Sequence, residues 1–293
     1  MSLVYWLAAI ALILLITASL SGYYVVRRQK QQLFLDPGQF GLEYRDVSFV
    51  TADGVTLVGW WIPAAGSTRT IICLHGYGGS CDPDLKYAPE LSKAGFNLLY
   101  FDFRAHGRSG AKITSIGALE VEDCRAAIRF AEAQGSTAIG LLGFSMGGRV
   151  ALLTAAADPS HIQALISDGG PARLTTAIAG DIAKKHVPRF LSYPIASIIV
   201  LGMSLWTGKF LFAREPYHLA KHLPPLPVLF IHGGKDPHTS AAELQHMVSA
   251  AGENAGSTAA AWVIPQAGHR DAVEFVGGEY LVRVIAFFER FLQ

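Results

Sequence analysis

A serine held between two glycines, in Gly143-Phe144-Ser145-Met146-Gly147, is the strongest chemical signal in this 293-residue chain. The Gly-x-Ser-x-Gly spacing fits a nucleophile elbow, a sharp strand-to-helix turn that lifts the hydroxyl clear of the backbone. The flanks suit that setting. Residues 138–142 form an apolar run that reads as a buried strand, and residues 148–157, rich in Ala and Leu, read as a helix. A side chain at either glycine would collide where the chain doubles back. A serine hydroxyl is a poor nucleophile at neutral pH, so it needs a base within hydrogen-bond reach and a carboxylate behind that base. His269, in Ala267-Gly268-His269-Arg270, follows the apolar Val263-Ile264-Pro265, and Asp236, in His232-Gly233-Gly234-Lys235-Asp236-Pro237, follows Leu229-Phe230-Ile231. We assign Ser145 as nucleophile, His269 as base and Asp236 as the orienting acid.

Other residues compete for these roles. His75, His106 and His232 each adjoin glycine in tight loops, where turn geometry is a sufficient explanation. Asp168, in Ser167-Asp168-Gly169-Gly170, is the alternative acid, and Asp271 is too close in sequence to His269 to orient its far side. Attack by Ser145 would leave negative charge on a carbonyl oxygen, which two backbone N–H groups could stabilise by several kcal/mol. One is expected from Met146, at the start of the helix after the nucleophile. The other is expected from Tyr77, in the glycine-rich loop His75-Gly76-Tyr77-Gly78-Gly79-Ser80. That loop lacks the Gly-Lys-Ser/Thr ending of a phosphate loop and the dinucleotide-binding spacing, which argues against ATP or NAD. Cys73, Cys81 and Cys124 match no metal-ligand or disulfide framework and read as free thiols, and acyl transfer through a serine needs no metal or organic cofactor.

The elements that must bring these loops together alternate. Two strand-like segments, 42–50 and 55–62, flank an Asp53-Gly54 hairpin turn. Strands then alternate with helices: strand 71–74, helix 84–93, strand 97–101, helix 119–133, and the elbow strand with its helix. Strands 162–166, 228–231 and 260–264 and helices 241–250 and 276–291 complete the pattern. Short apolar strands separated by amphipathic helices predict an α/β fold with a mostly parallel central sheet, helices on both faces and an antiparallel N-terminal hairpin. In such a sheet the carboxyl ends of the strands share one edge, where distant residues can converge. An insertion at about 171–226 interrupts the rhythm. Its apolar middle, 195–211, reads as a short helical cap over the active site, with an ordinary buried helix as the alternative. A cap would create an apolar pocket above Ser145.

From about residue 42 to 291 the chain resembles the α/β-hydrolase superfamily, nearest its serine-aminopeptidase-like and BEM46-like branches. His75-Gly76-Tyr77-Gly78-Gly79 resembles the oxyanion loop, and Asp102-Phe103-Arg104-Ala105-His106-Gly107-Arg108-Ser109 resembles the loop after the next parallel strand, with Ala105 where Gly is usual. Gly143 through Gly148 is similar to the elbow, and the Asp236 and His269 loops are similar to the acid and base loops. His238-Thr239 stand where the family often has a small or valine-proline pair, so pocket shape is expected to differ. The chain order of Ser145, Asp236 and His269 is the nucleophile, acid, base order of this class. The resemblance implies a hydrolase but names no substrate, because the fold hosts esterases, lipases, thioesterases and peptidases.

Charged residues are only 16% of the chain, against about 25% usually, while hydrophobic ones reach 51%. Much of the excess lies in residues 2–26, which carry no charge and are long enough to cross a hydrocarbon core of about 30 Å. A retained single-pass anchor is the preferred reading over a cleaved signal or a core helix, because no Lys or Arg precedes the run. Tyr5, Trp6, Tyr23 and Tyr24 would be its interfacial belts. Arg27, Arg28 and Lys30 follow the span and place the catalytic domain on the cytoplasmic side, with export as the alternative. The layout is an anchor at 1–26, a joint at 27–41 and a hydrolase domain at 42–293. A net charge of +1 with scattered Lys and Arg gives a nucleic-acid footprint no support. The expected function is cleavage of esters or thioesters of a small-molecule or lipid-like acyl substrate. Peptide or amide hydrolysis and an inert, membrane-bound hydrolase scaffold are the alternatives.

Overall fold

The paired apolar residues of the central strands decide the architecture. Successive strand side chains point to opposite faces, so one member of each pair enters each of two cores. Ile72, Leu99 and Leu141 pack with Val150 and Leu152, while Ile71, Leu98 and Leu142 pack with Leu91, Tyr280, Val284 and Phe288. With both faces covered, the strands read as continuous apolar runs.

A computed structural model describes residues 3–28, 34–253 and 258–293. Part of the joint expected over 27–41, and the first two residues of the expected anchor, therefore lie outside the described residues. The chain runs α1 (Leu3–Val26), β1 (Arg45–Val50), β2 (Thr56–Ile62), β3 (Arg69–Leu74), α2 (Ala88–Lys93), β4 (Asn97–Phe101), α3 (Glu120–Ala133), β5 (Ala138–Phe144), α4 (Met146–Ala157) and β6 (Ala164–Asp168). It continues through α5 (Leu174–Ala183), α6 (Arg189–Thr207), α7 (Pro216–Leu219), β7 (Val228–Gly233), α8 (Ala241–Gly252), β8 (Ala259–Ile264), α9 (Ala272–Val276) and α10 (Glu279–Phe291). The eight strands form one sheet in the order β1-β2-β4-β3-β5-β6-β7-β8. β1 and β2 are an antiparallel hairpin, β2 joins β4 antiparallel, and every later neighbour pair is parallel. This is the expected mostly parallel α/β sheet.

Several boundaries differ from the sequence expectation. Residues 82–87 form a 3₁₀ turn before α2, so the helix expected at 84–93 is shorter. The expected strand 162–166 lies two residues later, and Asp168 ends β6, paired with Phe144 and Ile231, instead of sitting in the loop beyond it. The expected helix 276–291 divides into α9 and α10, because Gly277 takes φ +55 and ψ −133, which an L-residue avoids. The helix expected at 195–211 begins earlier, at Arg189, includes Pro194, and stops at Gly208 in the left-handed conformation. α6 packs against both α5 and α1. α1 itself is exposed over residues 5–17, and only Ala18, Gly22 and Val26 are buried.

Candidate active site

The elbow is built from strain and close backbone approach. Ser145 takes φ 52 and ψ −114, a conformation L-residues rarely adopt, between the last residue of β5 and the first of α4. Its N–H donates to the Asp168 carbonyl at 2.8 Å and its carbonyl accepts from Arg149 N–H at 3.1 Å, so both sides of the turn are held. A Cβ on Gly147 would stand 1.9 Å from the Leu74 carbonyl oxygen, and one on Gly143 would stand 2.4 Å from Gly147 O. Glycine is therefore the residue that lets the end of β3, the elbow and α4 meet.

Three loops converge on this turn. The Ser145 hydroxyl lies 2.8 Å from His269 Nε2, and His269 Nδ1 lies 2.8 Å from Asp236 Oδ2. The Asp236 side chain is fully buried and its Oδ1 also accepts the His238 N–H at 2.8 Å. With a carboxylate on Nδ1, that nitrogen carries the proton and Nε2 turns its lone pair to the serine hydroxyl. Burial pushes the Asp236 carboxyl upward, but the His269 hydrogen bond and charge, with the His238 N–H, outweigh it and leave the group below the ordinary carboxylate range. An anionic partner for the imidazole is thereby secured.

The side chains of the rival residues make other contacts. Asp168 Oδ2 accepts from the Tyr280 hydroxyl at 2.6 Å, and burial, which exceeds the effect of that bond, raises its carboxyl to about 6. Asp271 Oδ1 is buried with no hydrogen-bond partner among the described residues. His232 donates from Nε2 to Thr239 O at 3.2 Å, and its Nδ1 is 3.9 Å from Asp236. His75 and His106 brace loops. His75 Nε2 accepts the Phe103 N–H at 2.9 Å, and His106 Nε2 accepts the Gly78 N–H at 3.2 Å, which secures the loop carrying Tyr77. Burial first, and the neighbouring His106 second, lower His75 to about 3, so it accepts as a neutral ring.

Tyr77 and Met146 both border the cavity that contains Ser145, and a Cβ on Gly76 would stand 3.5 Å from the Ser145 Cβ. Met146 is the first residue of α4, where a backbone N–H has no partner within the helix. The cavity measures about 380 Å³ and is walled by Ile116, Leu174, Ala177, Ile178 and Ile182, with Asp181, Lys185 and His238 as its polar members. Tyr24 and Val25 of α1 complete the wall.

Sequence reasoning missed several of these residues. Leu174, Ile178 and Ile182 recur every four residues, a helical stripe that periodicity could have revealed. His238 donates from Nε2 to Asp181 at 2.7 Å, and its ring lies edge-on to His269 with centroids 4.1 Å apart. Tyr24 and Val25 give no local signal, because their place depends on contacts with residues far along the chain. The Thr114 N–H donates to Val26 O at 2.7 Å, and the Tyr77 hydroxyl donates to Val25 O at 2.7 Å. Among the described residues, Asp236, His238 and His269 could offer a metal three ligand atoms within 4.8 Å of one another. Both His269 nitrogens and His238 Nε2 are engaged in the bonds described above.

Comparison with known proteins agrees with this architecture. YqkD of Bacillus subtilis, itself uncharacterized, is 29% identical over 199 residues, covering 64% of this chain and 62% of that protein. The chain thus spans less than two thirds of that relative's length. A monoacylglycerol lipase of Mycolicibacterium smegmatis is 30% identical over 126 residues, covering 42% of this chain and 45% of the lipase. The crystal structure of the Pyrococcus furiosus esterase PF2001 superposes with a TM-score of 0.76 at 27% identity, covering 92% of this chain and 99% of the esterase. Residues 69–223, more than half of the chain and inclusive of the elbow, match the alpha/beta hydrolase fold family, and the chain belongs to that family.

Proposed function

We propose that this protein is a serine hydrolase that cleaves carboxylic esters or thioesters through an acyl-enzyme, anchored to a membrane by α1 with its catalytic domain on the cytoplasmic side. The observation that carries the chemistry is the unbroken hydrogen-bonded chain from Ser145 through His269 to Asp236, with both links at 2.8 Å. His269 Nε2 takes the hydroxyl proton as Ser145 Oγ bonds to the acyl carbon. The negative charge on the carbonyl oxygen is received by the N–H groups of Tyr77 and Met146. The tetrahedral species then breaks its bond to the leaving oxygen or sulfur, which receives the proton from His269. Water, deprotonated by the same nitrogen, attacks the acyl-serine, and Ser145 regains its proton as the acid departs. Asp236 stabilises the imidazolium through both proton transfers.

The apolar cavity wall favours an acyl chain, and the similarity to an esterase and to a monoacylglycerol lipase supports ester chemistry. The exposed apolar surface of α1, with Arg27 and Arg28 at its end, supports the anchor and its orientation. The test is covalent labelling by a fluorophosphonate, followed by a panel of short and long 4-nitrophenyl esters, acyl-CoA thioesters and aminoacyl arylamides. Wild type is expected to label and to hydrolyse the esters or thioesters, and Ser145→Ala is expected to do neither. Undiminished labelling of Ser145→Ala would refute the nucleophile, and turnover confined to arylamides would refute the substrate class.

A further inference from the structure

α6 has the composition of a membrane element and shares a seam with the anchor. No charged residue occurs between Arg189 and Lys209. Its inward face, Ser192, Ala196, Val200, Met203 and Thr207, is buried against the protein. Its outward face presents Phe190, Tyr193, Ile195, Leu201, Leu205 and Trp206, all exposed, and Phe210 just beyond extends the patch. An exposed apolar surface without charge on a folded protein marks a membrane or partner contact.

The contact with α1 is closer than ordinary side chains allow. A Cβ on Gly202 would lie 1.7 Å from the Ala18 carbonyl oxygen, and one on Gly22 would lie 2.2 Å from the Gly202 carbonyl carbon. Small residues on both helices bring the backbones together, the packing mode of helices in lipid. Trp206 Nε1 donates to Ser19 O at 2.9 Å, and its ring lies 4.7 Å from that of Tyr23. The end of α1 is also fixed to the domain. Arg27 forms a bridge with Ile113, and the Arg28 N–H donates to Lys112 O at 2.7 Å. α1 therefore cannot enter a bilayer without bringing the outer face of α6 to the same surface.

Polarity is ordered along this pair. Residues 5–16 of α1 are apolar and exposed, whereas the pocket end carries Tyr24 under the Arg27 guanidinium, 4.3 Å from the ring centroid, with Lys185 on the cavity wall. Aromatic and basic side chains in that order mark the headgroup boundary. Resting on the anchored acyl-hydrolase reading above, we infer that the outer face of α6 is buried in the same leaflet as the pocket end of α1, whose apolar remainder crosses the rest of the bilayer. The mouth beside Tyr24 and Val25 then receives acyl chains directly from the bilayer, so the substrates are esters resident in the membrane.

The test uses the full chain in phosphatidylcholine–phosphatidylglycerol vesicles. The native cysteines are all buried, so a maleimide fluorophore can be directed to Leu205→Cys on α6, to Ile13→Cys on α1 and to Arg129→Cys on α3 as the aqueous reference. The probe at 205 is expected to be quenched by doxyl-labelled acyl chains and shielded from iodide, like the probe at 13 and unlike that at 129. A probe at 205 that behaves as at 129 while 13 reads lipid overturns this inference alone. Water at both 13 and 205 overturns the anchor as well, and absence of turnover in any substrate format overturns the hydrolase reading instead.

The second arm compares wild type with the double variant Leu201→Glu, Leu205→Glu. Its readout is the rate on 4-methylumbelliferyl oleate in vesicles divided by the rate on 4-nitrophenyl butyrate in solution, a ratio that loss of folded enzyme leaves unchanged. The ratio is expected to fall about tenfold or more, since two charges placed at a lipid-facing surface oppose its insertion. An unchanged ratio overturns delivery from the bilayer.

Discussion

Asp236→Asn tests the proton-transfer chain at the point where the structure makes the sharpest demand. Asp236 accepts two hydrogen bonds at once, from His238 N–H on Oδ1 and from His269 Nδ1 on Oδ2, each at 2.8 Å. An asparagine has one acceptor oxygen, so it cannot satisfy both. If the amide oxygen stays on the His238 N–H, its NH₂ faces Nδ1 and the proton moves to Nε2, which can then no longer accept from Ser145. If the amide turns over, two buried donors confront each other, which costs about 1–3 kcal/mol. The first arrangement satisfies every bond and disarms the base, so it dominates. The expected loss in kcat is about 10³- to 10⁴-fold, equivalent to about 4–5.5 kcal/mol of transition-state stabilisation. The assay is turnover of 4-nitrophenyl butyrate under saturation, with thermal unfolding as the control for structure. A well-folded variant that retains kcat within about tenfold of wild type would refute the orienting role of Asp236, because wrong-tautomer imidazole cannot act as base.

Other outcomes follow from neighbouring groups. Arg149, wholly buried, binds Glu215 and the Arg214 carbonyl and donates from Nε to Ile116 O at 2.9 Å, tying α4 to the residues before α7. Arg149→Met strands the Glu215 carboxylate and is expected to cost about 3–5 kcal/mol in a denaturant titration. Asp168 supplies a pH signature. Burial raises its carboxyl to about 6 from an ordinary 3.8, so between those values the folded protein holds a proton that the unfolded chain has released. The stability it contributes is fully present below 3.8 and is lost as pH rises through about 6. That loss is about 3 kcal/mol, and Asp168→Asn should remove that slope from thermal melts taken across the window. Ile178→Trp fills part of the cavity wall and should shorten the preferred ester chain. Each excluded methylene is worth about 0.8 kcal/mol, roughly fourfold in kcat/KM, read from a series of acyl lengths.

Much of this protein is legible in its sequence because the informative contacts are local. Gly143-Phe144-Ser145-Met146-Gly147 specifies its own strained turn, and the paired apolar residues of β3, β4 and β5 imply a sheet covered on both faces. Asp236 and His269 each follow a strand whose carboxyl end lies at the same edge, so their candidacy needs only the parallel pattern. Boundaries were less legible where backbone conformation decides them, as at Gly277, which splits one expected helix into two. The rhythm of residues alone also left Asp168 open as an alternative acid. Only the tertiary structure turns its carboxylate to Tyr280 and that of Asp236 to His269, since direction depends on how loops pack and not on which strand precedes them. The same holds for Tyr24, Val25 and the seam of Ala18, Gly22 and Gly202. The apolar run that ends at Val26 announces a helix, but its partner lies about 180 residues away, and a pairing over that separation leaves no periodic trace in either segment.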